Sequence, residues 1–389
     1  MKKLTYRHTQ YASYLGYVTQ AIVNNLAPLL FVIFQSQFEI PLGKITLLIT
    51  TNFCFQLVVD FIAARIVDKI GYRPCIIAAH IFSAAGLVGM ALLPHAFPDP
   101  YYGLLTAVLL YAVGGGLIEV LISPIVEACP TENKASVMSL LHSFYCWGTV
   151  GVILISTGFL AIFGRENWEI LACLWALLPL CNAVFFAKVP IAQLNENGSS
   201  MSLSKLVRTR AFWIFIILMG ASGASEQSMS QRAATFAEQG LGVSKAIGDL
   251  AGPCLISIMM GCSRVFNAKF SEKINLTHFI IGSCVLCIAA YLLAALAPNP
   301  VLGLVGCGLC GLSVGSLWPG EFATASERIP TGGTAMFAFL ALAGDLGCSS
   351  GPTLVGMAAG AFGDNLSIGL LFALIFPVVL IIGSLATKK

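Results

Sequence analysis

Long apolar stretches, separated by short polar or Pro- and Gly-rich segments, run along the whole chain. About 20 apolar residues form a helix that crosses the hydrocarbon core of a membrane, so each stretch is predicted to be one membrane helix. The pattern predicts an all-α membrane protein with twelve such helices: Tyr11–Phe34, Lys44–Val67, Pro74–Leu93, Tyr102–Ala128, Ala135–Phe163, Trp168–Ala187, Ala211–Gln239, Ser244–Ala268, Leu276–Ala297, Val301–Ser326, Thr331–Ala361 and Leu366–Ala386.

The longest polar segment, 188–210, divides the chain nearly in half. We expect it to be a cytoplasmic linker between an N-terminal six-helix bundle, 1–187, and a C-terminal six-helix bundle, 211–389. The halves share a pattern, because Ala64–Ile70 and Ala268–Ile274 both read Ala-basic-apolar-x-acid-Lys-Ile. A repeat in the same orientation predicts two pseudo-symmetric bundles.

Composition excludes several classes of protein. Of the 389 residues, 57% are hydrophobic and 10% are charged, whereas soluble domains carry about 25% charged residues. A soluble enzyme, a coiled coil and a disordered chain are therefore excluded, and the helices leave no room for an ATP-binding domain. No basic patch suits a nucleic acid. We expect no enzymatic activity, no cofactor and no nucleic-acid partner.

The 13 cysteines lie mostly in apolar stretches. Two CxxC pairs, Cys284/Cys287 and Cys307/Cys310, have a spacing that suits zinc, but neither is flanked closely by histidine or charge. Free thiols that pack as small apolar side chains are the favoured interpretation, and no metal site is expected.

Lysine and arginine set the expected orientation, because basic residues concentrate in cytoplasmic loops. With the N-terminus inside, 17 of the 21 basic residues face the cytoplasm, and Lys44, Arg165, Arg232 and Lys245 face outside. We expect a multi-pass protein of the cytoplasmic membrane with both termini in the cytoplasm. The N-terminal residues are expected to lead into the first membrane helix without a cleavable signal.

Motifs in four places carry a family resemblance. The loop AARIVDKIGYRP resembles the helix 2–3 motif of the major facilitator superfamily, with Ala64 in place of its first Gly. GGGLIEVLISP in the fourth predicted helix resembles the Gly-x-x-Glu-x-x-x-Asn-Pro pattern of the fucose/galactose/glucose proton symporter (fucose permease-like) family, with Ser123 in place of Asn. GLSVGSLWPGEF, and GASE at 223–226, resemble that family's motifs in helices 10 and 7. The resemblance implies the two-bundle fold and proton-coupled sugar transport by alternating access.

The resemblance assigns proton coupling to Glu119. The family typically carries a second coupling acid, an Asp, in its first helix, but this chain has Asn25 there, which cannot titrate. A charge at the bilayer centre costs about 2.5–3.5 kcal/mol on insertion scales, so a retained acid indicates a role. The alternative for Glu119 is a structural hydrogen bond to a neighbouring helix.

Polar side chains within the predicted helices are the candidate substrate ligands, because polar groups facing lipid are costly. The polar run SGASEQSMSQR in the seventh helix also suggests a bend or break near Gly220 and Gly223. The predicted substrate-binding residues, facing a cavity between the halves, are Gln20, Asn24, Asn25, Ser123, Glu226, Gln227, Ser230, Trp318 and Asp345. Ordinary packing, or a polar helix end, is the alternative for several of them. The roles of His142 and Arg232 stay open.

Charged residues near two cytoplasmic loops form a predicted conformational lock. Asp68, Lys69 and Arg73 are expected to form charge pairs between helices that hold the outward-facing state. Arg264 and Glu272 would be their pseudo-symmetric partners.

The sequence thus predicts a secondary active transporter that moves a small polar solute, a sugar in the first place, by proton symport. One alternative is proton-driven export of amphipathic compounds, which the 25 Phe residues and the missing acid of the first helix favour. A facilitated-diffusion uniporter is another, and the paired loop motifs disfavour a non-transporting sensor. The expected partners are the small-molecule substrate, protons and the lipid bilayer, and the expected state is a monomer.

Overall fold

The computed structural model describes residues 4–192, 201–363 and 365–387, and these residues form helices and no strands. The helices are α1 Tyr6–Leu29, α2 Phe31–Phe38, α3 Leu42–Ile70, α4 Tyr72–Ala96, α5 Pro100–Ala128, α6 Lys134–Phe163, α7 Trp168–Lys188, α8 Leu203–Leu206, α9 Arg210–Leu241, α10 Lys245–Phe270, α11 Leu276–Leu296, α12 Pro300–Val314, α13 Leu317–Arg328, α14 Gly333–Ala361, α15 Leu366–Phe372 and α16 Ile375–Ala386. A short 3-10 turn, Arg165–Asn167, precedes α7. The all-helical prediction is confirmed.

Ten helical segments within the described residues are long and apolar enough to cross a membrane, and eleven if α1 and α2 count as one bent span. The long helix α9 lies outside that set, and it carries the polar run over 222–232. Many large apolar side chains point outward, such as Leu92, Ile162 and Met357, which suits contact with lipid. The exact count of twelve spans stays a prediction.

Several predicted helices are interrupted. The first turns by 46° between α1 and α2, just after Pro28, which has no N–H to continue the helical bonding. The tenth is split into α12 and α13 at Gly315 and Ser316, and the twelfth into α15 and α16. The seventh predicted helix is not broken, because α9 is continuous over Arg210–Leu241, and a bend in it stays a prediction.

Glycines in α9 serve helix packing instead of a break. A Cβ on Gly223 would lie 2.1 Å from the carbonyl oxygen of Gly344, and a Cβ on Gly347 would lie 1.9 Å from that of Gly220. The missing side chains therefore let α9 and α14 approach backbone to backbone.

The starts of α5 and α12 show how the sequence sets helix ends. Asp99 accepts a hydrogen bond from the Tyr101 N–H at 2.9 Å, and Asn299 accepts one from the Leu302 N–H at 3.0 Å. Each cap is followed by a proline in the first turn, where proline's missing N–H costs nothing.

The chain forms two compact units. The first contains Met1–Pro130 and Trp147–Asn197, and the second contains Thr131–Cys146 and Gly198–Lys389. Helix α6 therefore contributes its first half to the second unit. The domain boundaries expected from the sequence, at the 188–210 segment, stay a prediction, and 193–200 lie outside the described residues.

Candidate functional site

A network of side-chain amides lies in the interior of the first unit and ends on a carboxylate. The Gln20 amide donates to Glu119 Oε2 and to Gln56 Oε1, both at 3.1 Å. The Gln56 amide donates to Asn24 Oδ1 at 2.9 Å and to Asn52 Oδ1 at 2.8 Å. Asn52 completes the set by donating to Asn24 Oδ1 at 3.2 Å. The network thus joins α1, α3 and α5, and the Gln20 amide links it to the Glu119 carboxylate.

Two glycines in α5 make room for this network. A Cβ on Gly115 would lie 3.0 Å from the Gln56 amide carbon, and one on Gly116 would lie 2.9 Å from Asp60 Oδ1. Glu119 follows these glycines by about one turn, so the same helix face that admits α3 also presents the acid. The glycine pair of the GGGLIE motif therefore has a packing function.

The other predicted ligands of the first unit have defined partners. Tyr17 and Ser123 share a hydrogen bond of 3.0 Å between their hydroxyls, and both are buried. Asn25 donates to the Ala21 carbonyl at 2.8 Å and to Thr149 Oγ1 at 3.3 Å. Asn25 thus lies apart from the Glu119 network, on the side of α1 that meets α6.

A buried arginine dominates the interior of the second unit. Arg264 on α10 is 3% exposed, and its guanidinium donates to the carbonyl oxygens of Gly315 and His142 at 2.7 and 2.8 Å. It also donates to Cys146 Sγ at 3.0 Å. Arg264 therefore joins the first half of α6 to the gap between α12 and α13.

Proline explains why this carbonyl needs a side-chain donor. In an unbroken helix the Gly315 carbonyl would accept from the N–H four residues on, but that position is Pro319, which has none. The Arg264 Nε–H satisfies the freed oxygen instead. Next to it, the Ser263 and Ser316 hydroxyls lie 3.1 Å apart. The break between α12 and α13 is thus built by Pro319 and satisfied by α10.

Aromatic rings pack around the start of α13. The Phe322 ring stacks on His142 with centroids 5.7 Å apart, and on Phe337 at 5.3 Å. Trp318 meets Phe322 edge-on at 6.3 Å, and its ring fills the space where a side chain on Gly344 would lie, 2.2 Å from a Cβ there. His142 is therefore part of an aromatic layer beside Arg264.

The remaining predicted ligands lie on α9 and α14. Glu226, Gln227 and Ser230 are all partly buried. The charges of Glu226 and Arg264 are close enough to interact. Asp345 is partly buried on α14, and its carbonyl accepts from the Ser349 hydroxyl at 3.1 Å. The structure thus brings Glu226, Arg264 and Trp318 into one unit.

The predicted lock residues have mixed environments. Asp68, Lys69 and Glu272 are exposed. Arg73 donates to the carbonyls of Phe186, Ala187 and Val189 at 2.8 to 2.9 Å, which caps the C-terminal end of α7. Arg264 is buried away from the surface on which Glu272 lies. The lock assignment as a whole stays a prediction.

Cysteines and metal-ligand residues show no cluster in the part of the chain that the structure describes. All 13 cysteines are free thiols, and Cys284, Cys287, Cys307 and Cys310 are buried. No group of three or more His, Cys, Asp or Glu side chains in 4–192, 201–363 and 365–387 is placed to hold a metal ion.

Sequence reasoning missed Asn52 and Gln56 as members of the Glu119 network. Both lie in α3 with Asp60, and the three polar residues are spaced four apart in an otherwise apolar helix. That spacing places them on one face, so the signal was available. The role of Gly315 and Arg264 at the helix break depends on contacts between distant helices, which no local pattern shows.

Solved structures share this architecture across nearly the whole chain. The fucose:proton symporter FucP from E. coli superposes with a TM-score of 0.84 at 16% identity, covering 99% of this chain and 100% of that one. The proton:xylose symporter XylE, bound to 6-bromo-6-deoxy-D-glucose, superposes with a TM-score of 0.81 at 13% identity, covering 99% and 95%. At such identities the similarity shows the fold alone.

No curated protein sequence matches the chain. The family model described as the Major Facilitator Superfamily matches residues 13–352, which confirms the resemblance seen in its loop motif. The chain belongs to the Major Facilitator Superfamily and is a multi-pass membrane transporter, not an enzyme.

Proposed function

We propose that the chain is a proton-coupled symporter that imports a small polar solute of the sugar class by alternating access. It would act as a monomer in the cell membrane, with both termini in the cytoplasm. FucP and XylE, whose fold it shares, are named as sugar:proton symporters.

The Glu119 network is the observation that carries the proposal. A carboxylate that accepts from the Gln20 amide, in a membrane helix, is a group whose protonation changes its hydrogen bonding. Protonation in one facing state and release in the other would couple a proton to the transport cycle.

Substrate binding is assigned to polar groups of both units. In the first, these are the amides of Gln20, Asn24 and Asn25 and the Ser123 hydroxyl; in the second they are Glu226, Gln227, Ser230, Trp318 and Asp345. A sugar needs planar hydrogen-bonding groups and an aromatic surface, and this set offers both. Asn24 is already oriented by two donors, Asn52 and Gln56, so it would need little reordering on binding.

The lock proposal covers the cytoplasmic loops. Asp68, Lys69 and Glu272 are exposed, and in this proposal they pair with charged groups of other helices during the cycle. Arg73, which caps α7, would keep its loop in a fixed position.

Transport by the purified protein in proteoliposomes tests the proposal. A thermal-shift screen of sugars, sugar acids, polyols and amphipathic drugs first identifies a ligand. Uptake of that ligand is then measured with the interior alkaline, and again without a pH gradient. Symport predicts accumulation above the external concentration only with the gradient, and a protonophore should abolish it.

The same measurement separates the alternatives. Equilibration without accumulation in either condition indicates a uniporter. Binding of amphipathic compounds, and their movement out of the vesicles driven by protons that move in, indicates an exporter. Either result contradicts the proposal.

A further inference from the structure

Among the described residues, Arg264 is a buried cation without an acid in contact. It is 3% exposed, and among the residues that the structure describes no Asp or Glu oxygen lies within 4.0 Å of its guanidinium nitrogens. A buried charge is expensive unless an opposite charge or a full set of hydrogen bonds compensates it. Within the part of the chain that the structure describes, the arginine therefore has no counter-charge in direct contact.

Its hydrogen bonds leave part of the guanidinium available. Nε donates to Gly315 and Nη1 to His142 and Cys146, which uses three of the five N–H groups of an arginine. All three acceptors are neutral, and the Nη2 group has no acceptor within the described ranges. An arginine fork matches the two oxygens of a carboxylate.

The surroundings of the guanidinium also favour an anion. It lies at the break near the middle of the Pro300–Arg328 span, where α13 begins at Leu317. The first N–H groups of a helix have no helical acceptor, and the helix dipole is positive at that end.

Glu226 is the acid whose charge acts on Arg264 from α9. It makes no hydrogen bond to another side chain in the described part of the protein. It thus offsets the charge of the arginine without direct contact, and an arriving anion would add a direct contact.

We propose that Arg264 binds the substrate directly and that the transported solute carries one carboxylate group, as a sugar acid does. One guanidinium balances one negative charge, whereas a phosphate ester carries about −1.5 to −2 at neutral pH. The inference rests on the proposed function and narrows its substrate class. It gives Arg264 a role different from that of a lock partner of Glu272.

Matched ligand pairs test this assignment on the purified full-length protein. The dissociation constants of D-galacturonate and D-galactose are compared by intrinsic tryptophan fluorescence, and likewise those of D-glucuronate and D-glucose. The wild type should bind at least one acid about tenfold or more tightly than its neutral partner, because tenfold is the effect of about one charge-assisted contact. Equal or tighter binding of the neutral sugars overturns the inference and leaves the proposed function standing, whereas binding of none of the four contradicts both.

Variants then assign the preference to the residue. Arg264→Gln should remove the preference for the acid, and Arg264→Lys, which keeps the charge but loses the fork, should reduce it severalfold. Arg328→Gln removes an exposed cation at the end of α13 and should leave the ratio unchanged. If Arg264→Gln does not fold, the Arg264→Lys variant provides the test. If either variant prefers the sugar acid over the neutral sugar by the same factor as the wild type, Arg264 does not bind the substrate carboxylate.

Discussion

Replacing Gln56 by leucine removes three side-chain hydrogen bonds from the interior of the first unit. Gln56 accepts from Gln20 at 3.1 Å and donates to Asn24 and Asn52 at 2.9 and 2.8 Å, and it is 2% exposed. Side-chain hydrogen bonds within membrane proteins average about 0.6 kcal/mol each. Gln56→Leu should therefore lower the free energy of unfolding by about 2 kcal/mol, since leucine fills a similar volume and leaves little cavity.

Unfolding of the purified protein in mixed micelles, titrated with SDS and followed by circular dichroism, measures this loss. Asn52→Leu, which removes two bonds of the same network, should cost about 1 kcal/mol on the same scale. Thr51→Leu changes a partly buried neighbour on the same helix and serves as the control. A Gln56→Leu value within about 0.5 kcal/mol of the control, less than one average bond, would show that the network adds no stability.

Three further predictions concern packing, cycling and the helix break. Gly344→Ala should cost about 1–3 kcal/mol by displacing Trp318, while Gly356→Ala on the same helix, with nothing within 4 Å of its Cβ, should be neutral or stabilising in the same SDS titration. Asp68→Asn should slow substrate exchange in proteoliposomes and leave the dissociation constant nearly unchanged; lost binding in a folded variant would contradict the lock. Pro319→Ala restores an N–H donor for the Gly315 carbonyl. Arg264→Gln should therefore lower the SDS concentration at the unfolding midpoint less in a Pro319→Ala protein than in the wild type. Equal decreases would show that Arg264 does not replace the donor that is missing at Pro319.

Much of the architecture was predictable because a helix that crosses a membrane needs about 20 apolar residues, and a stretch of that length is visible in the sequence. The limits of the fourth predicted helix, Tyr102–Ala128, agree closely with α5, whose cap at Asp99 and Pro100 is encoded locally. Breaks were harder to predict. Gly220 and Gly223 suggested one in α9, but they pack against α14, and glycine patterns alone do not distinguish a break from a close helix contact.

The candidate site was predictable to the extent that polarity in an apolar helix is costly. Gln20, Asn24 and Glu119 stood out singly, and the structure joins the three through Gln56. The sequence assigns Arg264 to the cytoplasmic lock because the loop repeat begins four residues after it. In the structure Arg264 is buried and donates to the Gly315 carbonyl, which Pro319 leaves without a helical donor on another helix. A contact between helices that are distant in sequence leaves no periodic pattern from which it could be predicted.

Proton-driven accumulation by Glu119→Gln, compared with wild type in the same proteoliposomes, tests the central claim most directly. Glutamine mimics the protonated carboxyl and still accepts from Gln20, so the variant should exchange substrate across the membrane at a rate near that of wild type. It should fail to accumulate substrate when the pH gradient is imposed, while Glu127→Gln, the same change two turns further along α5, should accumulate it normally. Accumulation by Glu119→Gln to the wild-type level would contradict the account and make Glu119 a structural residue.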